Sequence, residues 1–299
     1  MDPESPQSLI QFSVIIPTYH RNDLLSLCLE RLAPGQQTLS WSAYEVIVSD
    51  DGSTSTAQKL IQENFPWAKW IAGPRQGAGA NRNHGASYSR GEWLVFTDDD
   101  CLPSLEWLGA FAAAVQSGIH VYEGCTTCEA GVQPPMEVAP INLEGGFLWS
   151  CNMMISRQLF QRLGGFDPKF PYPHMEDVEF RERLQMANES FLFVPKAIVD
   201  HPPRLIQPPK KMAAYQESLY YYFAKRKVSH QKSVQNIFYA TIISRLIGIK
   251  KNPFTFGSLL GLINLLQQLF YLTLLIPSWK SKYSDYHQSS LSSLSNTSY

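Results

Sequence analysis

Two kinds of run alternate along the first two hundred residues. Short, almost wholly apolar runs predict buried strands at residues 11–17 (QFSVIIP), 44–48 (YEVIV), 70–72 and 93–97. Between them lie helical segments. Residues 21–32 carry Leu24, Leu25, Leu27, Cys28 and Leu32 at helical spacing, and residues 56–64, 77–89 and 105–116 read as helices too. Strands alternating with helices predict a mainly parallel, Rossmann-like α/β sheet flanked by helices. Beyond Gly118 the pattern loosens. Residues 120–124 and 191–199 read as strands, 151–155 as extended, and 157–163 and 176–187 as helices. Acids crowd the first turn of the last helix, where the helix dipole favours them. Residues 131–146 read as loop, with Pro134, Pro135 and Pro140.

The last hundred residues follow a different pattern, a helical extension both basic and apolar. Residues 212–228 are aromatic-rich and helical, and 237–249 are apolar apart from Thr241, Ser244 and Arg245. Residues 254–276 carry no charge and lie between Lys250-Lys251 and Lys280. As a helix this stretch would reach about 34 Å at ~1.5 Å per residue, enough for a bilayer core. Asn264, Gln267, Gln268 and Tyr271 form a polar stripe on it, with Gly257 and Gly261 on the same side. Three arrangements stay open: a spanning helix packed by that face, an interfacial helix, or a buried helix of a soluble bundle. The basic and aromatic flanks favour the first two. Residues 281–299 are Ser-rich and read as a disordered tail.

Charge sharpens this division. Residues 1–200 hold 13 Lys and Arg against 24 Asp and Glu, whereas residues 201–299 hold 12 against 2, so a net charge of −1 conceals an acidic and a basic part. The basic part suits an anionic partner such as nucleic acid, phosphorylated lipid or a membrane surface. The five cysteines are odd in number and sparse, which argues against a secreted disulfide framework. Cys125 and Cys128 have C-x-x-C spacing without a second pair. The acidic N-terminus lacks the features of a signal peptide, so the catalytic part is expected in the cytoplasm.

Ligands of such sheets bind outside the C-terminal ends of the strands. Thr18-Tyr19-His20, Asp50-Asp51 and Asp98-Asp99-Asp100 fall at those ends. An isolated acidic run would read as a solvated loop. Three carboxylates at a strand end, beside other strand-end acids, are instead placed for Mg²⁺ or Mn²⁺, which would relieve their repulsion and hold substrate phosphates. Gly77 and Gly79 do not make a dinucleotide fingerprint, because the first strand runs into Pro17-Thr18-Tyr19.

Ser13-Val14-Ile15-Ile16-Pro17-Thr18-Tyr19, Val46 to Ser53, and Asn81-Arg82-Asn83 through Gly91-Glu92 to Asp98-Asp99-Asp100 together resemble a family 2 glycosyltransferase. Leu163-Gly164-Gly165-Phe166-Asp167 and Met175 to Phe180, with Arg183, resemble two later motifs of that family, so the likeness runs over residues 12–200. It implies a GT-A fold and an inverting hexosyltransferase that uses a nucleoside-diphosphate sugar and Mn²⁺ or Mg²⁺. By the same resemblance, Pro17, Tyr19 and Asp51 line the base pocket, and Arg82 faces the nucleotide. Asp98 and Asp100 are the Asp-x-Asp pair at ribose and metal, though Asp99 also permits an Asp-Asp reading. Asp177 is the general base, with Glu176 beside it on the acceptor side. His201 is a further candidate metal ligand, although a carboxylate-rich magnesium site does not require nitrogen.

The acceptor is expected to be a saccharide or lipid-linked molecule, used in polysaccharide or glycolipid assembly at the inner face of the cell membrane, with no nucleic acid as partner. Rival readings are a sugar-nucleotide nucleotidyltransferase or hydrolase on a similar sheet, and a non-catalytic membrane-associated nucleotide-binding scaffold. The expected division is an N-terminal tail (1–11) and a GT-A domain (12–203) with nucleotide (12–118) and acceptor (119–203) halves. A helical membrane-associated region (204–280) and the tail (281–299) complete it.

Overall fold

The computed structural model of this chain describes residues 10–288. It separates into two compact units. One holds the residues up to Ala130, with Pro140–Lys169 and Glu176–Pro202. The other holds Gly131–Ala139, Phe170–Met175 and the chain from Pro203 onward.

The first unit is built on β1 (Phe12–Thr18), β2 (Tyr44–Asp50), β3 (Lys69–Ala72), β4 (Trp93–Thr97), β5 (Leu102–Pro103), β6 (Val121–Thr127), β8 (Asn152–Ser156) and β9 (Phe191–Asp200). The short β7 (Glu137–Val138) and β10 (Arg204–Leu205) pair in the second unit. The eight strands form one sheet in the order β3-β2-β1-β4-β8-β6-β9-β5. β1, β2 and β4 are buried along their whole length, as the continuous apolar runs require of parallel strands covered on both faces. The chain steps outward from β1 to β2 and β3, then returns to place β4 on the other side of β1. This reversal puts a crevice at the C-terminal ends of β1 and β4. The sheet is mixed rather than wholly parallel, because β8 pairs antiparallel with both β4 and β6, and β5 pairs antiparallel with β9. This curled, mostly parallel sheet with flanking helices is a GT-A-like fold.

Helices α1 (Asn22–Leu32), α2 (Gln58–Asn64), α3 (Ala78–Ser87), α4 (Trp107–Ala114), α5 (Arg157–Arg162) and α6 (Glu176–Met186) complete the unit. Four aromatic rings seat the last of them. Phe166 and Phe180 meet tilted at 5.0 Å between centroids, and Phe166 meets Phe96 of β4 at 5.5 Å and Phe160 of α5 at 5.6 Å. Part of the segment that reads as irregular loop is pinned by one buried carboxylate. Glu123 of β6 accepts from Asn142 Nδ2 at 2.7 Å and from the backbone N–H groups of Gly146 at 2.6 Å, Phe147 at 2.9 Å and Leu148.

The second unit is helical, with α7 (Pro209–Lys225), α8 (His230–Lys251), α9 (Phe256–Lys282) and α10 (Ser284–Gln288). Its core gathers Tyr220, Tyr221, Ile237, Leu272, Trp279 and Tyr283. α9 runs past the expected end at residue 276 and through Pro277, because Leu272, Ile276, Trp279 and Tyr283 continue one buried line. The tail expected from residue 281 is therefore helical as far as residue 288, and residues 289–299 lie outside the described residues, as do residues 1–9 of the expected N-terminal tail. The small-residue face of α9 seats a proline segment: a Cβ at Gly261 would lie 2.6 Å from Pro135 Cγ, and Arg245 Nη1 donates to the Pro135 carbonyl at 3.3 Å. Among the described residues α9 is the one helix long and apolar enough to cross a membrane. It buries Gly261, Leu265, Gln268 and Leu272, and exposes Leu259, Leu262, Ile263, Leu266, Phe270 and Leu274.

Glu123→Ala leaves several inward N–H groups without an acceptor. It should destabilise the protein by about 3 kcal/mol or more, read as a lower midpoint in urea with an unchanged slope; an unshifted midpoint would show that water replaces the carboxylate.

Candidate active site

The site begins where β1 and β2 end. Thr18 and Asp50 are register partners, and Asp51 N–H extends the pairing by donating to the Thr18 carbonyl at 3.0 Å. Asp50 turns inward and accepts from the N–H groups of Gly52 at 2.8 Å and Ala57 at 2.6 Å and from Trp70 Nε1 at 3.1 Å, so it builds the turn. Asp51 is buried and accepts from Arg75 N–H at 2.9 Å, and desolvation raises its carboxyl above the ordinary value. Asn81 of α3 ties the strand ends together, donating to Ser49 O at 2.8 Å and Thr18 O at 3.4 Å. Gly73 has no room for a side chain here, because a Cβ would lie 2.3 Å from Asp51 Oδ1 and 2.6 Å from Asn81 Oδ1. Pro17 is buried inside β1, whereas Tyr19 is 59% exposed at its end.

The acids after β4 are each held by a guanidinium. Arg82 of α3, itself buried, donates to Asp98 Oδ1 at 2.6 Å and to Glu176 Oε1 at 3.0 Å. Arg21, at the start of α1, pairs with Asp99 Oδ1 at 2.5 Å and Asp100 Oδ2 at 2.8 Å. Asp99 also accepts from Thr18 Oγ1 at 2.7 Å, which places its carboxylate inward against β1. Asp99 is fully buried, and desolvation pushes its carboxyl up to about 7 against the lowering pull of Arg21. Besides any metal, two arginines already offset the repulsion within the triplet.

Arg82 joins this loop to the start of α6. Arg82, expected on the nucleotide side, bridges Asp98 and Glu176, its guanidinium 5.8 Å from the centre of the Phe166 ring. Desolvation, and then the neighbouring Asp177 charge, push Glu176 up to about 7. Asp177 is also raised, by desolvation first, although Arg82 and its N-terminal helix position pull the other way. The dipole argument alone predicts a lowered value for Asp177, but burial outweighs it. Arg183 locks the approach to α6, donating to Leu163 O and Gly165 O at 2.6 Å each and pairing with Glu179 at 2.8 Å.

His201 follows β9. Its Nδ1 lies 2.9 Å from the Pro202 carbonyl and must donate to it, which turns Nε2 toward Asp100 Oδ1 at 3.6 Å. Asp100, Cys101 and His201 each bring one ligand atom within 4.8 Å of the others, and all three are buried. Burial holds the Cys101 thiol well above its ordinary value, so it stays protonated and is a poor partner for a hard cation. A carboxylate oxygen and an imidazole nitrogen fixed by a backbone carbonyl are the donors that Mn²⁺ or Mg²⁺ accepts. The residues present fit such an ion.

The sequence profile of glycosyl transferase family 2 matches residues 13–164. The chain belongs to that family. It is 33% identical over 93 residues to the uncharacterized glycosyltransferase YibD of Escherichia coli, covering 30% of this chain and 26% of that one. It is 29% identical over 206 residues to the glycosyltransferase AglE of Haloferax volcanii, covering 64% and 67%. The crystal structure of Staphylococcus aureus TarS 1–349 superposes with a TM-score of 0.55 at 19% identity, covering 97% of this chain and 92% of that one, and shares its fold.

Arg21, Asn81 and Glu123 have structural or site roles that the sequence reading did not assign. Arg21 follows a strand end by three residues, a signal open to notice. The partners of Asn81 and Glu123 are set only by packing.

A carboxyl raised in the folded state stabilises it below the ordinary value and loses that contribution as pH climbs through the raised one. For Glu176 this window runs from the ordinary 4.5 to about 7. Wild-type Tm should therefore fall more steeply across that window than the Tm of Glu176→Gln, measured by scanning calorimetry in buffer without divalent ions; parallel curves would refute the assignment.

Proposed function

We propose that this glycosyltransferase moves a hexosyl group from a nucleoside-diphosphate sugar to a saccharide or lipid-linked acceptor, with inversion at the anomeric carbon. The observation that carries the reading is Arg82, which holds Asp98 at the end of β4 and Glu176 at the start of α6 on one guanidinium. The donor-side acids and the helix start that carries the candidate base are thereby fixed to one another. Thr18, Asp51 and Asn81 close the end of the sheet where the base and ribose would lie, with exposed Tyr19 free to stack on the base. Asp100 and His201 would hold Mn²⁺ or Mg²⁺, which supplies Lewis acidity for the leaving diphosphate.

Asp177 takes the proton from the acceptor hydroxyl as its oxygen attacks the anomeric carbon. A carboxylate raised by burial is a stronger base than one in water, closer to the working pH at which proton transfer is efficient. Glu176 stays on Arg82, whose guanidinium offsets its charge beside the base.

Asp177→Asn should abolish transfer, by 10³-fold or about that, while a nucleoside diphosphate titrated with Mn²⁺ binds as before; a variant that still transfers sugar would remove Asp177 from the role of base. Product analysis with and without acceptor separates transfer from hydrolysis or nucleotidyl transfer.

A membrane-side acceptor is supported by the exposed apolar face of α9, by the exposed Phe254 and Phe256, and by Lys250 and Lys251 beside them. Such a surface suits a cytoplasmic leaflet with anionic headgroups. The full chain should co-sediment with phosphatidylglycerol vesicles and lose that binding when Phe254 and Phe256 are both changed to Ser. Equal sedimentation of the double variant would rule this face out.

A further inference from the structure

Arg21 is tied to the acids from both directions. It sits where β1 passes into α1, and the residue before it, His20, adopts φ 55. A left-handed conformation is uncommon for a residue with a side chain and needs local support. His20 has that support: Nδ1 donates to the Ser55 carbonyl at 2.8 Å, and Nε2 receives the Ser53 N–H at 3.4 Å. The loop after β2 thus fixes the bend that sends Arg21 across to the loop after β4. There one guanidinium meets two carboxylates, Asp99 and Asp100, both buried. Arg21 itself keeps 39% of its side chain in solvent, so it lies on the open side of the acids it neutralises.

Asp100 divides its two oxygens. Oδ2 is held by Arg21, while Oδ1 faces His201. A divalent cation arriving at Asp100 and His201 meets a fixed positive charge a few ångströms away, and the like charges repel. A guanidinium is also the group best shaped to grip a diphosphate through paired N–H donors.

We propose that Arg21 is the resident counter-ion of the free enzyme, which keeps Asp99 and Asp100 ordered without metal, yields Asp100 to the divalent cation and then pairs with the diphosphate of the donor. The inference rests on the metal-dependent reading of the site. It makes Arg21 a positioning residue for the acids and a binding residue for the donor.

The test uses the full chain, free of nucleotide, as wild type, Arg21→Gln and Arg21→Lys. Each is titrated calorimetrically with MnCl₂, and then with inorganic pyrophosphate in saturating MnCl₂. The two readouts should move in opposite directions. Arg21→Gln should bind Mn²⁺ about three- to tenfold more tightly than wild type, because a repelling charge and a competitor are gone. It should bind pyrophosphate about tenfold more weakly. Its Tm in EDTA should fall by several degrees, and Mn²⁺ should raise its Tm more than that of wild type. A merely structural role would weaken both ligands, and Mn²⁺ binding that is unchanged or weaker in Arg21→Gln overturns the proposal. Should that variant fail to fold, Arg21→Lys decides by the same pair of titrations, since an ammonium cannot fork across two carboxylates and should shift both affinities the same way by a smaller factor. Wild type that binds no Mn²⁺ even with pyrophosphate would overturn the metal reading and this one together. Equal affinities in all three proteins would overturn this one alone.

Discussion

Two guanidinium groups and four carboxylates hold the C-terminal edge of the sheet together. Arg21 spans Asp99 and Asp100, and Arg82 spans Asp98 and Glu176. Three adjacent acids at the end of a buried strand would otherwise repel and drive one another toward protonation. Buried pairs of this kind add little net stability compared with apolar packing, since the desolvation of both partners offsets their attraction. What they provide is geometry. Each carboxylate has a defined partner, and the removal of either arginine leaves two acids without their guanidinium.

The rest of the first unit serves this edge. Reversal of strand order between β1 and β4 creates the crevice, and the short loops after β1, β2 and β4 fill it with polar groups. Phe96, Phe160, Phe166 and Phe180 form the apolar floor beneath, so the Gly-Gly-Phe-Asp stretch is as much packing as chemistry. Its phenylalanine seats α6, and α6 carries Glu176 and Asp177. The direction of the Asp177 shift follows the larger effect: desolvation at this turn outweighs the dipole of the helix behind it.

The second unit divides its longest helix between two environments. One face of α9 packs on its neighbours through Leu265, Gln268, Leu272 and Trp279, while the opposite face presents leucines, isoleucine and phenylalanine to solvent. Single exposed apolar residues are ordinary on protein surfaces, but a continuous stripe marks a contact surface. The polar stripe visible along the sequence is turned partly inward, with Gln268 buried and Asn264 half-buried, so the helix is not one that faces lipid all round.

Much of the fold was legible along the chain. Nearly continuous apolar runs such as residues 12–18 and 93–97 fit parallel strands covered on both sides, and the acids and turn formers that follow them mark their C-terminal ends. The family motifs placed Asp51, Asp98, Asp100 and Asp177 in order for the same reason: local spacing is written in the sequence. Pairing between residues far apart is not. Arg21 meets Asp100 across 79 positions, and Arg82 meets Glu176 across 94. Nothing in the neighbourhood of either arginine names its partner. Sequence determined which strands are buried and where the acids stand. Tertiary packing alone decided which charge neutralises which, because that choice depends on how strand order and helix packing bring distant side chains within hydrogen-bonding reach.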